Sequence, residues 1–209
     1  TSWARVGQSR WSIGLTEMIP SFLLPTPQCT RGGVAVGGGP LLITPAAQAL
    51  NAHHHSEDDN WGKGAKHYVD VVHKMISLTG SGDILDYGCG KGSLQELLGF
   101  PIKEYDPGIP GKNAPATPAD IVVCASVLEH VEPDCLDGVL DDIRRCTKQL
   151  AFFVIPHNQD LLGLHLSVHP QAWWLAKLTQ HGFAIKHAME FQSLTSEQRG
   201  HLILGSRTF

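Results

Sequence analysis

The chain has 209 residues, 42% of them hydrophobic and 17% charged, with a formal net charge of −4. That length holds one domain of ordinary size, or one domain with an extension. The acidic balance argues against non-specific binding to a phosphate backbone, so nucleic acid is a poor candidate partner. No apolar run approaches the ~20 residues a membrane helix needs, and no signal-peptide pattern opens the chain. Five cysteines form no C-x-x-C pair, which reads as reduced thiols of a cytoplasmic protein rather than a disulfide framework.

Residues 1–60 differ from the rest. They hold Gly32-Gly33, Gly37-Gly38-Gly39 and five prolines, with no sustained helical or strand period. An irregular arm, open to disorder, is expected there, with a short helix near Pro45–Leu50. His53-His54-His55 followed by Glu57, Asp58 and Asp59 reads as a solvated polar cluster; no metal site is expected in the chain. From residue 61 the pattern sharpens. Tyr68, Val71, Val72, Met75 and Ile76 mark one face of a helix, and Gly80 and Gly82 close it. Short apolar runs at Asp83–Asp86, Pro101–Asp106, Asp120–Ala125 and Leu150–Ile155 read as strands. Helices are expected after Gly92, after Pro133 and over Gln171–Gln180. Phe183–Phe191 and His201–Ser206 read as a late antiparallel pair. Strands alternating with helices predict an open, mostly parallel α/β sheet.

The first strand runs into Asp86-Tyr87-Gly88-Cys89-Gly90-Lys91-Gly92. Three alternating glycines permit a tight turn and leave no Cβ to keep a ligand off the backbone. The spacing is neither the G-x-G-x-x-G of a dinucleotide fold nor a P-loop, which needs Gly where Leu85 stands and Ser or Thr where Gly92 stands.

Asp86-x-Gly88-x-Gly90-x-Gly92 resembles the first motif of class I S-adenosylmethionine-dependent methyltransferases. Val127-Leu128-Glu129-His130-Val131 is similar to the segment after a later strand in quinone-biosynthesis-type members, and His181-Gly182-Phe183 is typical of them too. The resemblance covers residues 61–209. It implies a Rossmann-like sheet with helices on both faces and S-adenosylmethionine as cofactor. The cofactor would be lined by Asp86, Tyr87, Gly88, Cys89, Gly90, Gly92, Asp106, Asn113 and Glu129. Asp106 stands where the family's carboxylate holds the ribose hydroxyls; read locally, it is a turn Asp before Pro107. Lys63 or Lys66, with peptide N–H groups of the turn, are candidates for the cofactor's carboxylate, and Trp61-Gly62-Lys63-Gly64 for a lid. The thirteen residues between Asp106 and Asp120 contain four prolines and leave no room for the family's usual helix and strand. This truncation looks like small bacteriophage-type methyltransferases. Asn113 is the adenine contact it offers, or else a turn residue.

An acceptor hydroxyl or amine needs a base. His130 lies beyond a strand C-terminus, where open α/β sheets hold ligands, and titrates near neutrality; His157 follows the next strand. Either can instead brace local structure. No Asp-Pro-Pro-Tyr-like or Pro-Cys segment of DNA methyltransferases is present, which leaves a small-molecule or protein acceptor. A non-catalytic cofactor-binding module working through a partner protein is the alternative.

Overall fold

The computed structural model describes residues 41–58, 64–158, 163–192 and 199–208. The first forty residues of the expected arm, and Trp61, Gly62 and Lys63 of the expected lid, lie outside the described residues. A helix α1 spans Pro45–Glu57, longer than the short helix expected there. Thr44 caps it, its hydroxyl accepting from Ala47 N at 3.2 Å, and Pro45 suits the first turn because its missing N–H would have no helical partner. A 3-10 turn, Gly64–His67, leads into α2, Val69–Thr79, which Gly80 ends in the left-handed conformation.

The remaining elements are β1 (Ile84–Tyr87), α3 (Ser93–Leu98), β2 (Lys103–Tyr105), β3 (Ala119–Ala125), a 3-10 turn Leu128–His130, α4 (Leu136–Cys146), β4 (Thr147–Pro156), α5 (Gln171–Gln180), β5 (Phe183–Gln192) and β6 (Arg199–Arg207). They build one six-stranded sheet in the order β2-β1-β3-β4-β6-β5. The first four strands are parallel. β6 runs antiparallel to both β4 and β5, as the late strand pair predicted.

The period of two decides which side chain joins which layer. Val122 and Cys124 of β3, with Ala151, Phe153 and Ile155 of β4, pack with Val139, Leu140 and Ile143 of α4 and with Trp174 and Leu178 of α5. Ile121, Val123, Phe152 and Val154 point the other way and meet Val72 and Met75 of α2 and Leu94 and Leu98 of α3. Burial on both faces explains why these strands read as continuous apolar runs. Between β2 and β3 the chain forms neither helix nor strand, as its prolines dictate. No helix among the described residues is long and apolar enough to cross a membrane.

Candidate functional site

The parallel strands β1, β2 and β3 deliver their C-terminal ends to one edge, and the glycine turn opens there. Gly88, Gly90 and Gly92 have φ of 81°, 51° and 89°. A Cβ on Gly88 would stand 2.2 Å from Cγ2 of Val127, so its absence lets the turn close against the segment after β3. Four of the turn's N–H groups are engaged. Gly88 and Cys89 donate to Tyr105 O at 2.7 and 3.0 Å, and Gly92 donates to Cys89 O at 2.9 Å. Gly90 N donates to Asp106 Oδ2 at 2.9 Å. Three of these four bonds tie the turn to the end of β2 and to Asp106 just beyond it. Tyr87 contributes only main chain, since its ring packs 4.7 Å from Tyr105 and its hydroxyl donates to Asp142 Oδ2 at 3.0 Å. Cys89 is buried, and burial pushes its thiol well above the usual range, which makes it a packing residue.

Four charged groups gather under this turn. Asp106 is 7% exposed. Its Oδ1 accepts Gly108 N–H at 2.8 Å while Oδ2 holds Gly90; each oxygen keeps a second acceptor position. Asp86 is buried, and burial first, then Glu104, raises its carboxyl to about 7 against the pull of Lys112. Lys112 Nζ lies 3.0 Å from Glu104 Oε2 and donates to Gly90 O at 3.2 Å. Burial works against the Lys112 charge, but the hydrogen bond to Glu104 and nearby carboxylates raise its pKa overall. Glu104 Oε1 is buried without a hydrogen-bond partner among the described residues.

Helix α1 covers the other side of Asp106. Gln48 Nε2 donates to Pro107 O at 2.8 Å, and Asn51 sits so close to Gly108 that a Cβ there would meet its Cβ at 3.0 Å. His55 Nε2 is 3.9 Å from Asp106 Oδ2; burial lowers the His55 pKa, outweighing the attraction of Asp106. Thr44 anchors the helix start to Glu132, with N and Oγ1 reaching its carboxylate at 3.0 and 2.8 Å. Asn113 is exposed in the loop between β2 and β3. Its neighbour Lys112 is the residue of that loop that reaches the glycine turn.

Beyond β3 the backbone is strained: Ser126 adopts φ 56°, uncommon without glycine. The turn Leu128–His130 follows. Glu129 is fully buried, burial raises its carboxyl far above the usual range, and its own main-chain N–H opposes this only in part. That N–H falls short of hydrogen-bond geometry, and neither oxygen has a hydrogen-bond partner among the described residues. His130 Nδ1 lies 3.1 Å from Leu164 O, and its Nε2 lies 3.8 Å from Glu129 Oε1. His157 stands apart from this group, its ring 4.8 Å from that of His201.

The structure thus brings Asp86, Gly88, Gly90, Gly92 and Asp106 to one edge, with Glu129 and His130 on the neighbouring strand's exit. Sequence reading missed Glu104 and Lys112, took His55 for part of a solvated cluster and gave His165 no role. Glu104 left a signal, two positions before Asp106 on β2 and so on the same side. Lys112, His55 and His165 left none, because loop closure alone brings them in.

Solved structures share this fold. The 1,6-didemethyltoxoflavin-N1-methyltransferase of Burkholderia thailandensis, with bound 1,6-didemethyltoxoflavin and S-adenosylhomocysteine, is 13% identical with a TM-score of 0.63, covering 81% of this chain and 92% of that one. The N-methyltransferase NodS of Bradyrhizobium japonicum WM9, in complex with S-adenosylhomocysteine, is 13% identical with a TM-score of 0.58, covering 78% and 100%. The [4+2]-cyclase SpnF is 12% identical with a TM-score of 0.57, covering 81% and 98%, so the fold alone does not dictate the reaction. No curated protein sequence matches the chain. The profile of the methyltransferase domain family, however, matches residues 51–199, from within α1 to the start of β6. By that match, which takes in the glycine turn, Asp106 and Glu129, this chain belongs to the methyltransferase domain family.

Proposed function

We propose that the chain transfers a methyl group from S-adenosylmethionine to an oxygen or nitrogen of a small-molecule or protein acceptor. The observation that carries this reading is the glycine turn at the exit of β1 with the Asp106 carboxylate beside it and Asp86 beneath. When bound, the cofactor supplies a methyl group activated on a sulfonium. The residues present fit it. Gly88 and Gly90 leave bare backbone for the methionyl part. The remaining acceptor positions of Asp106 suit two ribose hydroxyls. Asp86, poised near neutrality, suits an ammonium, either directly or through water. Glu129, whose oxygens have no hydrogen-bond partner among the described residues, lines the same edge.

Methyl transfer is an in-line displacement, so most of the chain's task is alignment. His130 is our candidate for handling the acceptor's proton. Its Nδ1 lies against a carbonyl, which can only accept, so the neutral ring carries its proton there and keeps Nε2 basic. His157 is an acceptor-side candidate of the next strand. We assign the catalytic unit to residues 61–209, with α1 closing over Asp106, and read the loop between β2 and β3 as the mark of a compact, bacteriophage-type variant. The bare loop and α1 then enclose the adenine between them, with Asn113 at the rim.

Calorimetric titration with S-adenosylhomocysteine tests the reading. Asp106→Asn is expected to weaken binding by about 1.5–3 kcal/mol, the worth of hydrogen bonds to a charged acceptor, or roughly 10- to 150-fold. Absence of binding by the wild-type chain at millimolar ligand would sink the proposal.

A further inference from the structure

One ligand atom each from Glu129, His130 and His165 lies within 4.8 Å of the other two. The three come from two segments zipped together by main chain. Leu166 N and Ser167 N both donate to Glu129 O, at 2.7 and 3.0 Å, and Ser167 Oγ donates to Val131 O at 2.9 Å. The loop carrying His165 is thereby fixed against the turn carrying Glu129 and His130.

The chemistry of the three side chains is that of a ligand set. Glu129 is a carboxylate 0% exposed, with neither oxygen hydrogen-bonded among the described residues. A buried carboxylate in that state needs a proton or a cation. Both imidazoles have Nδ1 against a main-chain carbonyl, His130 at 3.1 Å from Leu164 O and His165 at 2.6 Å from Asn158 O. A carbonyl accepts only, so Nδ1–H donates in each and the lone pair of the neutral ring sits on Nε2. Metal-binding histidines are oriented by this same kind of second contact.

We infer that Glu129, His130 and His165 form a binding site for a divalent first-row transition-metal ion. Two imidazoles and one carboxylate suit zinc, manganese or iron(II), and suit magnesium and calcium poorly because those prefer all-oxygen shells. Ligand atoms ~2.1 Å from one ion stand ~3–3.5 Å apart, so the three need to draw in by about 1 Å, within reach of side-chain torsions. Three protein ligands leave open positions for water or an acceptor oxygen or nitrogen, and coordination lowers the pKa of a bound hydroxyl. This use of the ion rests on the methyltransferase reading and would take over the task given to His130; the binding itself does not. A sequence search for spaced ligands could not find the site, since His165 is 35 positions beyond His130.

The test is titration of the chelator-stripped chain with Co2+, read by its visible absorption and by equilibrium dialysis, with Mg2+ as the contrast. His53→Ala/His54→Ala serves as the background, to remove the other histidine cluster. One equivalent of Co2+ is expected in that background, weakened at least ~10-fold by Glu129→Gln and by His165→Ala and unchanged by His73→Ala on the exposed face of α2. Circular dichroism melts report whether each variant folds. If Glu129→Gln does not fold, His165→Ala, in a surface loop, decides. Equal Co2+ affinity in His165→Ala and its background overturns the site. S-adenosylhomocysteine titration of the same stripped samples reports on the cofactor reading separately, so either proposal can fail alone.

Discussion

Gly88 and Gly99 both have positive φ, 81° and 74°, but their surroundings differ. A Cβ on Gly88 meets Val127 at 2.2 Å, with both its Cγ atoms and its Cβ inside 3.4 Å, whereas one on Gly99 meets nothing within 4 Å. Gly99→Ala is therefore expected to lose about 1–2 kcal/mol for the left-handed backbone alone. Gly88→Ala adds a clash that pushes the turn off the β3 exit, and denaturant melts should show a clearly larger loss. Asp86 gives a pH signature. Its folded-state value is raised from 3.8 to about 7, chiefly by burial, so the folded chain holds a proton that the unfolded chain releases. Stability then falls as pH rises from about 4 to about 7, by up to roughly 4 kcal/mol. Asp86→Asn should remove that part of the slope in melts run across this window; an unchanged slope would show that Asp86 is not the group responsible.

At the level of elements, α1 is held to the domain by polar contacts rather than by a core. It has no buried residue, and its anchors are the Thr44–Glu132 pair, the Gln48–Pro107 bond and the approach of Asn51 to Gly108. Such an element sits at the low-stability end of a structure. Thr44→Ala removes the cap and the hydroxyl half of the link to Glu132, leaving the main-chain N–H bond, and is expected to weaken the helix by about 1–2 kcal/mol. Hydrogen exchange of the 48–57 amides should quicken roughly 5- to 30-fold while the β3 and β4 amides do not change. If α1 closes over the cofactor, S-adenosylhomocysteine should slow the same amides.

For the whole molecule, the four parallel strands bring the site together at one sheet edge, while the antiparallel β6 and β5 extend the sheet away from it. A ligand seated across β1, β2 and β3 stabilises the folded state by mass action. At 100 times its dissociation constant, S-adenosylhomocysteine should add about 2.7 kcal/mol, raising Tm by ~5–10 °C for a chain of this size. A titration in which Tm stays flat would contradict binding to the native fold.

The sequence alone determined the order of elements, because the central strands β1, β3 and β4 are buried on both faces and the helices packed against them on one, and those patterns are written in the chain. Asp83–Asp86 and Asp120–Ala125 read as strands and Gln171–Gln180 as a helix, and they fold so, give or take a residue. The alternating glycines were legible for the same local reason: positive φ is a property of single residues. The missing elements between β2 and β3 followed from prolines, which act on their own backbone. What lay beyond reach was everything set by contacts distant in the chain. That the turn's N–H groups answer to Tyr105 and Asp106, that Lys112 rather than Asn113 reaches Gly90, and that α1 lies against Asp106 all depend on loop closure. So does the meeting of Glu129 and His130 with His165. Only the folded sheet sets those distances, since they are decided by which loops its edge brings together and by no period or motif in the chain.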